Sequence, residues 1–133
     1  ICAGTLPVYY LFPNIIFMPT QEGAFLVQEY PLENSPHKSV SKISFYFYPH
    51  VLEHVKQLEK QGINGKELLQ QQYNGFASVI RDEDYVAAAS SHKGLKSGNI
   101  DYLTFGKNEP ALHHYHNTYR EALGLQSLPL EKA

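Results

Sequence analysis

Val40-Ser41-Lys42-Ile43-Ser44-Phe45-Tyr46-Phe47-Tyr48 alternates cleanly: Ile43, Phe45 and Phe47 fall on one face, and Lys42, Ser44, Tyr46 and Tyr48 on the other. A period of two belongs to a strand, whose successive side chains leave opposite faces. The stretch therefore reads as one strand of a sheet with an apolar side to bury. Working back toward the start, residues 24–30 form a second strand after the turn at Gln21-Glu22-Gly23. Asn34-Ser35-Pro36 supplies the turn between these two strands. Residues 8–12 and 14–18 are aromatic and β-branched, and Pro13 divides them into two further strands. The first half is an antiparallel sheet.

Beyond residue 50 the period changes. Residues 51–60 make a short amphipathic helix that stops at Gly62, and Asn64 can cap a longer one. The apolar stripe of that longer helix runs through Leu69, Tyr73, Phe76 and Ile80, and it should end near Gly94. Residues 101–105 are a candidate short strand. A last helix starts at Asn108 with Pro110 in its first turn, ends at Gly124, and turns Leu112, Tyr115, Tyr119 and Leu123 inward. Strands followed by long helices indicate an α+β fold, with helices packed on one face of an antiparallel sheet. Such a sheet curled around a long helix encloses a cavity lined by the aromatic strands.

Asp84 does not fit an ordinary packing pattern. At 100° per residue it projects about 20° from Tyr73 and about 40° from Ile80, which places it on the apolar stripe, while Asp82 points toward water. A carboxylate taken from water needs a cation, a hydrogen-bonding group or a metal. Ala87, Ala88 and Ser91 are the next positions on that face and leave room for an approaching group. Three readings stand side by side: a pair with Arg or Lys (or a solvated acid on a frayed helix), a metal ligand, and a general base. The histidines divide similarly. His50 and His54 are four apart, and His113 and His116 three apart, spacings that suit a shared metal but equally suit exposed helix surface. His92, eight residues after Asp84, suits the negative end of the helix dipole or a place near the site.

Composition removes several function classes. With 11 Lys and Arg against 13 Asp and Glu, net charge -2, the chain has no basic face for nucleic acid. Pro7, Pro13, Asn14 and Pro19 interrupt the most apolar region, so no run of roughly 18 apolar residues could span a membrane. Residues 1–12 lack the charged leader of a signal peptide, and the single Cys2 points to a reducing, cytoplasmic setting. Phosphate-binding glycine loops, a nucleophile elbow and Cys–His pairs are absent from the sequence. The chain opens at Ile1 directly into strand-like sequence, which leads to the expectation that part of the protein precedes it.

Two segments resemble a known family. Tyr9-Tyr10-Leu11-Phe12-Pro13-Asn14, with the strands after it through Tyr30-Pro31-Leu32, is similar to the aromatic-Phe-Pro-Asn strand that lines the substrate pocket of Rieske-type non-haem iron oxygenases. These proteins are also called ring-hydroxylating dioxygenase α subunits. Glu83-Asp84, then Gly94-Leu95, then residues 106–109 and an aromatic, His-rich last helix follow in the same family's order. The resemblance covers nearly the whole chain and implies the C-terminal part of a helix-grip, START-like catalytic domain, incomplete at its N-terminus and without the Rieske domain.

It further implies that Asp84 ligates a mononuclear Fe(II), with two His ligands upstream of Ile1 completing a facial triad. Phe12, Asn14 and His92 would line the substrate pocket. A Rieske [2Fe-2S] cluster, not bound by this chain, would supply electrons drawn from a ferredoxin or reductase, within a homotrimer or α3β3 assembly. The substrate would be a small organic molecule, aromatic or a quaternary amine, hydroxylated with dioxygen. Members acting on quaternary amines often carry an acid five residues after the ligand and Gln eight after it; Ala89 and His92 stand there in this chain. The rival reading is a metal-free helix-grip module holding an apolar or aromatic ligand. It expects Asp84 paired to a basic side chain and a closed cavity under the long helix.

Overall fold

The computed structural model describes residues 5–129. They fall into two compact units that divide after Ala89. The first unit holds four strands: β1 (Tyr9–Leu11), β2 (Ile15–Pro19), β3 (Gly23–Leu32) and β4 (Ser35–Phe47). They form one antiparallel sheet in the order β1-β2-β3-β4. Three helical pieces follow: α1 (Pro49–Lys60), α2 (Gly65–Val79), and α3 (Tyr85–Lys96), which begins in the first unit. A π-helical turn, Ile80–Asp84, joins α2 to α3. The α+β fold expected from the sequence is the one found.

Strand register explains which side chains meet. Val27 lies opposite Ile16 and Ile43, and Phe25 opposite Met18 and Phe45, so one face gathers all six. That face packs on α2. Phe25, only 4% exposed, has its ring 3.7 Å from that of Phe76 and 4.0 Å from that of Phe45, all three stacked. Met18, Val27 and Ile80 close the core with Tyr73, whose hydroxyl reaches the Ile43 carbonyl at 3.3 Å. The stripe Tyr73, Phe76, Ile80 read from the sequence is the packed one, and Leu69 is half-buried beside it. These stacked rings sit at the middle of the contact between sheet and helix. A hollow does open beside the first turns of α2, lined by Ser44, Phe45, Phe47, Lys66, Leu69 and Tyr73.

The turns carry their own chemistry. Glu33 and Asn34 both have positive φ (57° and 52°), which makes a two-residue hairpin turn matched to strand twist. The turn thus falls one residue earlier than Asn34-Ser35-Pro36, and β4 already begins at Ser35. Pro36 is tolerated there because β4 lies at the sheet edge, and the register shifts where Pro31 and Leu32 face it. At the β2–β3 turn, Thr20 Oγ1 accepts from the Glu22 and Gly23 amides, each at 3.2 Å. A Cβ on Gly23 would stand 2.1 Å from the Tyr46 carbonyl oxygen. Backbone on both sides cannot yield cheaply, so Gly23→Ala should lower unfolding free energy by about 2–3 kcal/mol in urea titration. An unchanged midpoint would mean that β3 and β4 are not this close in solution.

In the second unit, α4 (Pro110–Ala122) starts two residues after the expected Asn108, and the helix stops at the expected glycine as Gly124 takes φ 67°. Tyr115 and Tyr119 are half-buried, but Leu112 is exposed and Leu123 is 70% exposed, so only part of the expected inward stripe is covered. Residues 101–105 form no strand, because no segment of the described residues pairs with them. The chain after α4 folds back along it: the Leu125 amide donates to the Arg120 carbonyl and the Leu128 amide to Asn117 Oδ1, both at 2.7 Å.

Candidate functional site

Asp84 is the last residue of the π turn, and the amide of Tyr85 closes that turn by donating to the Ile80 carbonyl five residues back. A single π turn inside an α-helix is rare and frequently marks a functional site. It also changes the angular reckoning. Uniform 100° steps put Asp84 on the Ile80 stripe; the extra residue in the turn carries it off that line. The carboxylate is exposed, and none of α3 is buried. The inward burial read from the sequence is therefore corrected: Ile80 is the last core residue on this helix, and the sheet does not extend over Asp84.

The basic-partner alternative also fails here. Among the described residues the ion pairs are Lys38–Glu33 and Arg81–Asp82. Arg81 holds Asp82 through two bonds, at 2.7 and 2.8 Å. Asp82 sits below its ordinary carboxylate value because of the Arg81 hydrogen bond, and Arg81 correspondingly higher. The nearest cation in sequence is thus occupied, and among the described residues no ion pair includes Asp84; a solvated acid, the other form of that ordinary reading, is what the turn presents.

One polar group near this turn was not singled out in the sequence. On the helix-facing side of the sheet, Glu29 lies opposite Ser41, and the Ser41 hydroxyl is 2.6 Å from both Glu29 carboxylate oxygens. The Tyr85 hydroxyl approaches Glu29 Oε1 at 3.4 Å, a contact between residues 56 apart in sequence. Burial pushes the Tyr85 phenol up from its ordinary value; the negative charges of Glu29 and Asp84 add to this, and Ser41 opposes it by hydrogen bonding. The clue was present in the period-two pattern: Glu29 shares a face with Phe25 and Val27, and Ser41 with Ile43 and Phe45.

Asn14 belongs to the same corner. Its side-chain amide donates to the Glu29 carbonyl at 2.8 Å, and its own carbonyl accepts from the Glu29 amide at 3.0 Å. Phe12, by contrast, is 48% exposed at the β1–β2 turn, next to the cis Phe12–Pro13 bond. His92 is half-buried on the part of α3 that falls in the second unit. His50 and His54 are exposed on α1, and His50 stacks on Tyr48. His113 contacts Asn117 and the Pro129 carbonyl, and His116 stacks on Phe105. Among the described residues no three His, Cys, Asp or Glu side chains come together to hold a metal. No helix among them is long and apolar enough to cross a membrane.

The family profile described as "Ring hydroxylating alpha subunit (catalytic domain)" matches residues 4–125, which include both the sheet and Asp84. The chain belongs to the ring-hydroxylating α-subunit family. The match rests on the sequence of nearly the whole chain and is independent of the exposure of Asp84. No curated protein and no solved structure matches the chain. This α-subunit catalytic domain is of an oxidoreductase family, the terminal components of ring-hydroxylating oxygenases. Asp84 suits one position of an Fe(II) site: it offers a hard oxygen donor, accessible and not neutralised by a basic neighbour. The sulfur-rich cluster of the family does not fit this chain, which has one cysteine where such a cluster needs two.

Proposed function

We propose that this domain supplies, through Asp84, the carboxylate of a 2-His-1-carboxylate iron site in an oxygenase that hydroxylates an aromatic or quaternary-amine substrate. The two imidazoles would come from polypeptide upstream of Ile1, and a Rieske [2Fe-2S] domain would stand in that same upstream part. When bound, Fe(II) activates dioxygen for transfer to the substrate. What supports the reading is the family match over residues 4–125, within which Asp84 closes a π turn with its carboxylate open to an approaching cation. Asp84 then contributes a fixed negative oxygen donor, which lowers the net charge of the centre. By the resemblance to the family, Phe12, Asn14 and His92 are the proposed pocket-lining residues. Electrons would arrive from a ferredoxin or reductase, and the working form would be a homotrimer or an α3β3 assembly in the cytoplasm.

The metal-free binder remains the second reading, but it expects a basic partner for Asp84, and Arg81 is held by Asp82 instead. An iron titration separates them. Residues 1–133 alone should take up Fe(II) weakly, because one carboxylate without imidazoles holds it poorly, whereas the longer polypeptide should bind one equivalent per mononuclear site. Stoichiometric, tight uptake by residues 1–133 would place the site on His50, His54 or the α4 histidines. No uptake by the longer polypeptide would favour the binder.

A further inference from the structure

We propose that Glu29, Ser41 and Tyr85 form a latch that positions Asp84, tying the π turn to the inner face of the sheet. The inference rests on the reading of Asp84 as an iron ligand. It concerns residues to which the family match assigns no role.

Tyr85 is the residue that links the two ends of the argument. Its amide closes the π turn on Ile80, and its hydroxyl reaches Glu29 on β3. The residue next to the ligand is therefore attached at both its backbone and its side-chain end. Glu29 is itself fixed: Ser41 of β4 sits on both its oxygens, and Asn14 bonds its backbone on the other flank. Three neighbouring segments of the first unit thus converge on one residue, two of them on its carboxylate. Beyond Ile80 no residue of α3 is fully buried, so this tie is what fastens the end of the turn to the sheet. A helix end free to rotate would carry the Asp84 oxygens through several positions and lose geometry at the metal. Residues that orient a ligand from behind typically change metal affinity by about 10–100-fold when removed. Here the hydroxyl contact is long and partly exposed, so the lower end applies.

Tyr85→Phe, Glu29→Ala and Glu29→Gln, made in the full-length α subunit, test the latch. Fe(II) affinity is read by competition with a chromophoric chelator, and ligand geometry by the visible bands of the Co(II)-substituted protein. Tyr85→Phe and Glu29→Ala should weaken Fe(II) binding about five- to tenfold and alter the Co(II) bands, with melting unchanged within about 2 °C. Glu29→Gln, which keeps an acceptor oxygen, should recover most of the affinity. Wild-type affinity and bands in both Tyr85→Phe and Glu29→Ala would overturn the latch. So would a lowered melting temperature with unaltered bands, because that marks a structural contact only. Should a variant not fold, Ser41→Ala gives the same readouts from the other side of Glu29. Asp84→Ala, run in parallel, keeps the two ideas apart: iron retained there defeats the ligand reading, whereas iron lost there with Tyr85→Phe unaffected defeats the latch alone.

Discussion

Asp84→Ala is expected to leave the full-length α subunit folded, depleted of mononuclear iron and without turnover. The folding part follows from surroundings: Asp84 is exposed, makes no ion pair, and alanine is the better helix former, so stability should move by no more than about 0.5 kcal/mol. The iron part follows from charge. Two neutral imidazoles remain, and without the carboxylate nothing offsets the cation's double positive charge. A bound metal contributes several kcal/mol to its reaction, so turnover should fall by on the order of a thousandfold or more. Metal analysis with a thermal melt checks both parts at once. One iron per mononuclear site in the alanine variant would move the ligand role to another residue. Unfolding would mean that this carboxylate has a structural duty which its exposure gives no reason to suspect.

How far the sequence could be read depended on whether local rules governed each part. The period-two run over residues 40–48 led correctly to the sheet, because one buried face fixes register. Tyr73, Phe76 and Ile80 were likewise legible as the packed stripe. Residues 101–105 look like a strand, yet without a pairing neighbour they have no ladder to join. Asp84 stands out on two grounds: its residue type at a family position, on which the proposal rests, and its place on the apolar stripe, which does not hold. The faulty step assumed a regular helix, and the π turn broke that assumption. Nothing in Ile80-Arg81-Asp82-Glu83-Asp84 announces such a turn, since it depends on where the chain is held at both ends. Glu29 went unnoticed because a charged residue near a strand end reads as rim, although its parity put it beside Phe25 and Val27.

The other large effect should come from Phe25→Ala. Phe25 is the most deeply set aromatic ring on the sheet and stacks between β4 and α2. Removing a buried phenylalanine costs about 3–5 kcal/mol, of which roughly 1 kcal/mol reflects lost ring stacking. The core of the first unit is small, so there is little else to close the gap. Chemical denaturation should show a midpoint shift of this size, and Phe25→Leu a smaller one. A loss below about 1 kcal/mol would mean that α2 does not rest on the sheet as described.

The π turn has a consequence for how this helix can be altered. It behaves as a phase shifter, one surplus residue spliced between two otherwise ordinary helical runs. Were the Tyr85 amide to bond the Arg81 carbonyl instead of that of Ile80, the helix would run on in the common pattern with no residue removed. Everything downstream would then swing by about 100° and advance by about 1.5 Å, taking the Tyr85 hydroxyl away from Glu29. Smoothing the irregularity would make a better helix and undo the proposed latch.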